Sequence, residues 1–457
     1  MTYTASRREF LKRASALSIS GVAAPLAINL AALGEAAAAN ATGYKALVCV
    51  FLYGGNDYAN TVVPYDLPNY TLYNGQRSAI ALPRQNLVST VLNPTAMLAG
   101  GRQYALAPEL SGLVPIFDAS KMAVLLNIGT LVQPTTKAQY TAKSVPLPPK
   151  LFSHNDQQSI WQSSSPEGSI SGWGGRMGDL FASANGNATF TCVSVSGNAV
   201  FLSGQSAVQY QVTSNGSVPI AAVKSPLFGS TACSDALRSM VTSPRTHLFE
   251  AEHARIMRRS IDADSQLTLG LAGNTPLATV FPSGNSLASQ LNMVARMIAA
   301  RNNLGAKRQV FFVSLGGFDT HDGLADDHPA LLGQVGPALT AFYSATNELG
   351  IADQVTTFTA SDFGRTLTTD GDGSDHGWGS MHFVIGGAVR GKAFYGTPPA
   401  VANNGPDDVG QGRLLPSISV DQLGATLGTW FGVSDTELAT VMPNLANYST
   451  RNLGFLA

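Results

Sequence analysis

The chain is poor in cysteine, in charge and in long apolar runs, and each scarcity removes a class of protein. Three cysteines, Cys49, Cys192 and Cys233, are too few and odd in number for a disulfide framework. Cys49 lies in an apolar stretch and reads as a small core residue, and a Cys192–Cys233 bridge is left open by the sequence. Charged residues are 12% of the 457, about half of the usual share. With a formal net charge of −1 there is no electrostatic footprint for nucleic acid. Beyond the first forty residues no apolar run reaches the roughly 20 residues that a membrane span needs. Glycine, Asn, Ser and Thr fill the gap, as in secreted proteins with long ordered loops.

The N-terminus reads as an export signal. "SRREFLKR" sets Arg7 and Arg8 before Phe10, Leu11 and Lys12, an Ala-rich apolar stretch runs from Ala14 to Leu33, and "EAAAAN" offers cleavage near Ala39. The twin arginine marks the Tat type, which carries folded proteins out of the bacterial cytoplasm. The expectation is a signal peptide at 1–39, the Tat export machinery as a partner, and a periplasmic or extracellular mature chain. Pro25 and Asn29 argue against a retained anchor helix. Residues 1–39 carry four basic and two acidic side chains, so the remaining chain has a net charge of −3.

In 40–457, four short runs are almost continuously apolar: "ALVCVFLY" (46–53), "MAVLLNI" (122–128), "RQVFFVSL" (308–315) and "VTTFTA" (355–360). Such runs fit strands buried on both faces, as in a parallel sheet. Leu332, Val335, Leu339, Phe342 and Thr346 keep helix-face spacing, as do Leu287, Leu291, Val294, Met297 and Ile298. Alternating helix and strand predicts an α/β fold, a doubly wound and mostly parallel sheet. Residues 185–225 are Thr/Ser/Val-rich with turn signals and read as antiparallel strands, and 233–263 read as helical. Together they predict a β-rich and helical insertion or cap over 185–300.

Three of these runs lead straight into polar chemistry. "GGND" follows the first and presents Asp57. "GGFDTHDGL" follows the third, with Asp319 and His321. "SDFGR" follows the fourth, with Asp362 and Arg365, and "DGDGSDHGWGSMH" adds His376 and His382. Ligands bind where parallel strands end, so these loops are expected to converge. Carboxylates gathered at one edge repel one another unless a cation sits among them, so convergence implies a metal. Taken singly, each Asp is as well read as a turn residue or helix cap. The "DGDGSD" run lacks the EF-hand glycine and closing glutamate, so that reading is rejected. His247 and His253 read as solvated, and Asp326, Asp327 and His328 as helix-capping residues. Ser153, in "LFSHNDQQSIWQ", stands at a helix start, where it is either an N-cap or a hydroxyl placed for nucleophilic attack.

The motifs "FLYGGNDYANTVVPY", "FSHNDQQSIWQ", "GWGGR", "GGFDTHDGL", "SDFGRT", "DHGWGSMHFVIGGAV" and "SVDQLGATLGTWFG" come in one order. With the twin-arginine start they resemble the secreted family known as domain of unknown function 1501. That family is similar to the alkaline phosphatase and sulfatase superfamily. The resemblance implies an alkaline phosphatase-like fold with one or two divalent metals (zinc, manganese or calcium). It implies Ser153 as nucleophile, and Asp57, Asp319, His321, Asp362 and His376 as metal ligands. His382 and Arg365 follow as a further ligand and an anion-orienting group. Phe363 stands where many superfamily members have histidine, which points to one metal or a weak second one. The close Asp319–His321 spacing leaves His328 as an alternative to His321. The sulfatase signature is absent around Ser153. The implied function is an exported metal-dependent hydrolase of phosphate or sulfate esters, acting on a small-molecule or glycan ester. The alternatives are a non-catalytic metal- or glycan-binding envelope protein and, more remotely, a phospho-group transferase.

Overall fold

Alternate residues of the first apolar run face opposite ways. Ala46, Val48 and Val50 join one buried cluster, and Leu47, Cys49 and Phe51 join another. A strand with period two that is apolar at every position must be covered on both sides. The computed structural model describes residues 43–457, so the expected signal segment at 1–39 lies outside the described residues.

The main sheet has ten strands. They are β1 (Lys45–Leu52), β2 (Met122–Gly129), β3 (Cys192–Ser194), β4 (Tyr210–Thr213), β5 (Gly216–Ser217), β6 (Arg308–Leu315), β7 (Val355–Ser361), β8 (Ser380–Gly386), β9 (Ala393–Tyr395) and β10 (Ile418–Ser419). Their order is β9-β2-β8-β7-β1-β6-β3-β4-β5, with β10 also on β2. The central run β7-β1-β6-β3-β4 is parallel, whereas β8 runs antiparallel to both β7 and β2.

The longer helices include α1 (His154–Ser163), α2 (Trp173–Phe181), α3 (Thr231–Thr242), α4 (Leu248–Ala272), α5 (Ser286–Ala299), α6 (Leu324–Glu348) and α7 (Val420–Phe431). Leu287, Leu291 and Val294 of α5 and Leu332 and Leu339 of α6 share the cluster of Ala46 and Val48. Trp161 of α1, Met177 of α2 and Leu427 of α7 share the cluster of Leu47 and Phe51. The two layers of helices follow from the two faces of β1. Each fully buried Leu or Phe contributes on the order of 2 kcal/mol.

The antiparallel reading of 185–225 is corrected. β3 pairs parallel with β6 and β4 parallel with β3, and the β4–β5 hairpin alone is antiparallel there. Val193 and Cys192 are buried in opposite clusters, so this three-residue strand extends the main sheet under cover of a turn-like composition. Farther along the 185–300 stretch lie α3 and α4, as its helical composition predicts. Cys49, Cys192 and Cys233 are free thiols, the last exposed on α3, so there is no Cys192–Cys233 bridge. Among the described residues no helix is long and apolar enough to cross a membrane.

Candidate metal centre

Leu52 pairs with both Leu315 and Ser361, so β1, β6 and β7 leave the sheet together at one edge. Asp319 follows β6, and Asp362 follows β7 directly. Because β8 is antiparallel, the loop that enters it starts from the same edge and carries His376. β2 also ends there, and the chain after it returns as α1, whose first residue is His154.

Three imidazoles meet at this edge. His376 Nε2 lies 3.0 Å from His154 Nε2 and 2.9 Å from His321 Nε2. Asp319 offers Oδ1 at 3.1 Å to His321 Nε2 and at 3.3 Å to His376 Nε2, and Oδ2 at 3.3 Å to His154 Nε2. The far sides of two rings are tied. His154 Nδ1 is 2.7 Å from Asp362 Oδ2, and His376 Nδ1 is 2.7 Å from the Phe152 carbonyl oxygen. A carbonyl and a carboxylate only accept, so both Nδ1 atoms carry the hydrogen and both neutral rings turn Nε2 lone pairs toward one another. Such a contact needs a proton or a cation between the rings. One proton does not suffice, because the single lone pair of His376 Nε2 cannot accept from His154 and His321 at once.

The donor set fits a divalent cation. Zinc bound tetrahedrally by nitrogen and oxygen at about 2.0 Å has ligand atoms about 3.3 Å apart, against the 2.9–3.3 Å here. His154, Asp319 and His376 form one such group, and His321, Asp375 and His376 a second that shares His376. Asp362 Oδ2 also accepts from Gln158 Nε2 and from the Gly54 N–H, while its Oδ1 is buried without a hydrogen-bond partner. A carboxylate that fixes the tautomer of a histidine is the usual outer partner of a metal ligand.

The charges agree with that division of labour. The hydrogen bond to Asp362 raises the His154 pKa above its ordinary value despite partial burial. Burial lowers that of His376. Burial pushes the Asp319 carboxyl up, but the Arg365 guanidinium and the nearby histidines outweigh it and hold it below the usual carboxylate range. Asp375 is likewise held low against burial, by the His376 N–H and by Arg413, which donates to its Oδ2 at 2.8 Å.

Backbone geometry is shaped around the centre. Phe152 has φ +71°, unfavourable for a bulky side chain, and that turn aims its carbonyl at His376. Gly54 has φ +115°, and a Cβ there would sit 2.3 Å from the Asp319 nitrogen. Phe363 packs its ring 4.8 Å from the centroids of both His154 and His376, walling the site where the resemblance would place a histidine.

The other expected site residues are placed differently. Asp57 is fully buried, pairs with Arg77 and accepts from the Ala59 N–H, apart from the imidazoles. His382 lies inside β8 with Nδ1 3.2 Å from Thr359 Oγ1 and its ring edge-on to Trp161, and burial drives its pKa down to about 3. Arg365, expected to orient an anion, is fully buried and donates to Asp319 Oδ1 at 2.6 Å and to the Gly54 and Ser374 carbonyls. Ser153 holds the N-cap position of α1 but caps no backbone N–H; its hydroxyl donates to Asp156 Oδ2 at 3.0 Å. His328 does not cap α6: it is buried, with Nε2 3.1 Å from Asn56 Oδ1, and its pKa falls to about 4.

His154, Gln158 and Asp375 are absent from the sequence reading. The first two had a signal, since "SHNDQQ" repeats polar residues four apart at a helix start and so places His154 and Gln158 on one face.

Comparison with the curated proteins finds no match. Among solved structures the chain is similar to Ps i-CgsB in complex with k-i-k-neocarrahexaose, at 9% identity over 89% of this chain and 77% of that one, TM-score 0.37. It is similar to the PsFucS1 sulfatase from Pseudoalteromonas sp. at 8% identity over 89% and 72%, TM-score 0.34. For the lipoteichoic acid synthase LtaP from Listeria monocytogenes the values are 9% identity over 88% and 78%, TM-score 0.33. A family model matches residues 44–442, nearly the whole described chain, and the protein therefore belongs to the family described as protein of unknown function, DUF1501.

Proposed function

We propose that the chain is an exported, metal-dependent hydrolase of phosphate or sulfate esters, working outside the cytoplasm after Tat export. The observation that carries the reading is the meeting of three imidazole Nε2 atoms and the Asp319 carboxylate at 2.9–3.3 Å, with two of the rings locked from behind. His154, Asp319 and His376 would hold a divalent cation, and His321 and Asp375 with the shared His376 would offer a second, adjoining place. When bound, the cation draws charge from an ester oxygen and neutralises what builds up there. Asp362 holds His154 in the required tautomer, and Arg365 fixes Asp319. Ser153 lies between Phe152 and His154, both of which touch His376, and we assign it the nucleophile's place. Asp156 Oδ2, 3.0 Å from its hydroxyl, accepts the hydrogen.

Arg365 favours a second reading. Its donors are spent inside the protein, so it offers nothing to an anionic ester. A non-catalytic metal- or glycan-binding protein would need no such group.

Metal analysis by mass spectrometry on the mature chain, purified without chelator, tests the site, and a panel of phosphate and sulfate esters tests the reaction. The hydrolase reading expects one or two equivalents of zinc, manganese or calcium, lost in His154→Ala/His376→Ala, with turnover that Ser153→Ala abolishes while metal is retained. Metal without turnover on any ester selects the binding protein. Neither metal nor turnover in a folded protein, even after reconstitution, removes the hydrolase reading and leaves a glycan-binding or structural protein.

A further inference from the structure

Exposed apolar side chains are concentrated in one part of the surface. Among the described residues, eight of fourteen large apolar side chains that face solvent fall within 218–280. Three flank the junction of α3 and α4 in the sequence: Met240 at 58% exposure and Leu248 and Phe249 at 77% each. Arg258 donates to the Thr242 carbonyl at the end of α3, so the first turns of α4 run on past that helix. From Leu248 to Ser260 only Ala254 is buried.

Basic residues surround the apolar ones. Residues 238–259 hold five arginines, Arg238, Arg245, Arg255, Arg258 and Arg259, against Glu250 and Glu252, a net +3. The chain from 40 onward totals −3, so everything outside this stretch totals −6. Glu252 is taken up by Arg255 at 2.7 Å and Asp264 by Lys224 at 2.9 Å, which leaves four arginines against Glu250 and Asp262 on α4 and Asp235 on α3. His247 and His253 lie on the same exposed end.

We propose that the α3–α4 end docks on an anionic lipid surface, with Leu248 and Phe249 in the headgroup layer and Arg245 and Arg258 toward the phosphates. A phenylalanine and leucine tip framed by arginine is the composition of an interfacial helix. The proposal is independent of any activity at the metal centre.

The test is co-sedimentation of the mature chain with vesicles of phosphatidylcholine alone or with about one-third phosphatidylglycerol, with oligomeric state read by light scattering. The expected result is binding to the anionic vesicles alone and release by salt, since exposed charges are screened beyond about 10 Å at 0.1 M. Leu248→Ser/Phe249→Ser should abolish it. Arg245→Ala/Arg258→Ala should weaken it about fivefold per arginine, and Glu250→Lys should strengthen it. An unchanged melting temperature shows that each variant is folded. Absence of binding, equal binding to neutral vesicles, or a dimer that Phe249→Ser dissociates overturns the proposal, the last by assigning the patch to a second copy.

Discussion

Asp57 and Arg77 form an ion pair in which neither side chain reaches solvent. Arg77 also donates to the carbonyls of Thr366 and Leu367, so the guanidinium joins the turn after β1 to the loop after β7. A protein cation thus neutralises the aspartate that the resemblance assigns to a metal.

Arg77→Ala leaves Asp57 charged, buried and unpaired, and it should cost about 3–5 kcal/mol of stability. Asp57→Asn/Arg77→Met should cost less than the sum of the two single changes, because neither partner is stranded. Urea unfolding of the four proteins measures this. Metal content of Asp57→Asn should equal that of the parent; loss of metal there would return Asp57 to the ligand set.

Asp362 tests positioning rather than ligation. Asp362→Asn keeps the shape and weakens the hold on His154 Nδ1, so metal affinity should fall about 10–100-fold. Gly54→Ala removes no ligand, yet its Cβ would collide with the Asp319 nitrogen and should lower affinity as well. Titration against a chromogenic chelator reads both. An Asp362→Asn variant with parental affinity, beside a His376→Ala variant with none, would sink the role given to Asp362.

The strands were legible because they are buried on both faces: "RQVFFVSL" matches β6 residue for residue. The edge where loops converge was legible too, since strand direction alone sets it. Partner choice was not. Asp57 meets Arg77 and His154 meets Asp362 only after the chain has folded, the latter across 208 positions. For His328 a polar run at a helix start suggests capping; here α6 turns that position inward, against Asn56 and Phe318. The three-residue β3 is too short to show a period.

Ser164 ends α1 in the left-handed conformation, φ +61°, and its buried hydroxyl has no hydrogen-bond partner. Glycine adopts that φ without strain and removes the unpaired group. Ser164→Gly should therefore stabilise the protein by about 1 kcal/mol, seen as a higher urea midpoint with an unchanged m-value. A fall in the midpoint would mean that the hydroxyl is used.

His328 sets an acid limit on stability. It is held neutral by burial, with its pKa at about 4 in the folded chain, against about 6.5 when unfolded. Between those values the unfolded state binds the extra proton. The contribution of His328 is therefore whole above pH 6.5 and is lost as pH falls toward 4, at about 1.4 kcal/mol per pH unit. His382, with its pKa at about 3, acts in the same direction. Asp421 acts against them: burial raises its carboxyl to about 6, so it gains stability as pH falls through that value. His328→Gln removes one titrating group of the three, and it should flatten the loss of urea stability between pH 6.5 and 4 by close to one proton equivalent. Parallel pH profiles for variant and parent would show that His328 takes up its proton without unfolding the chain.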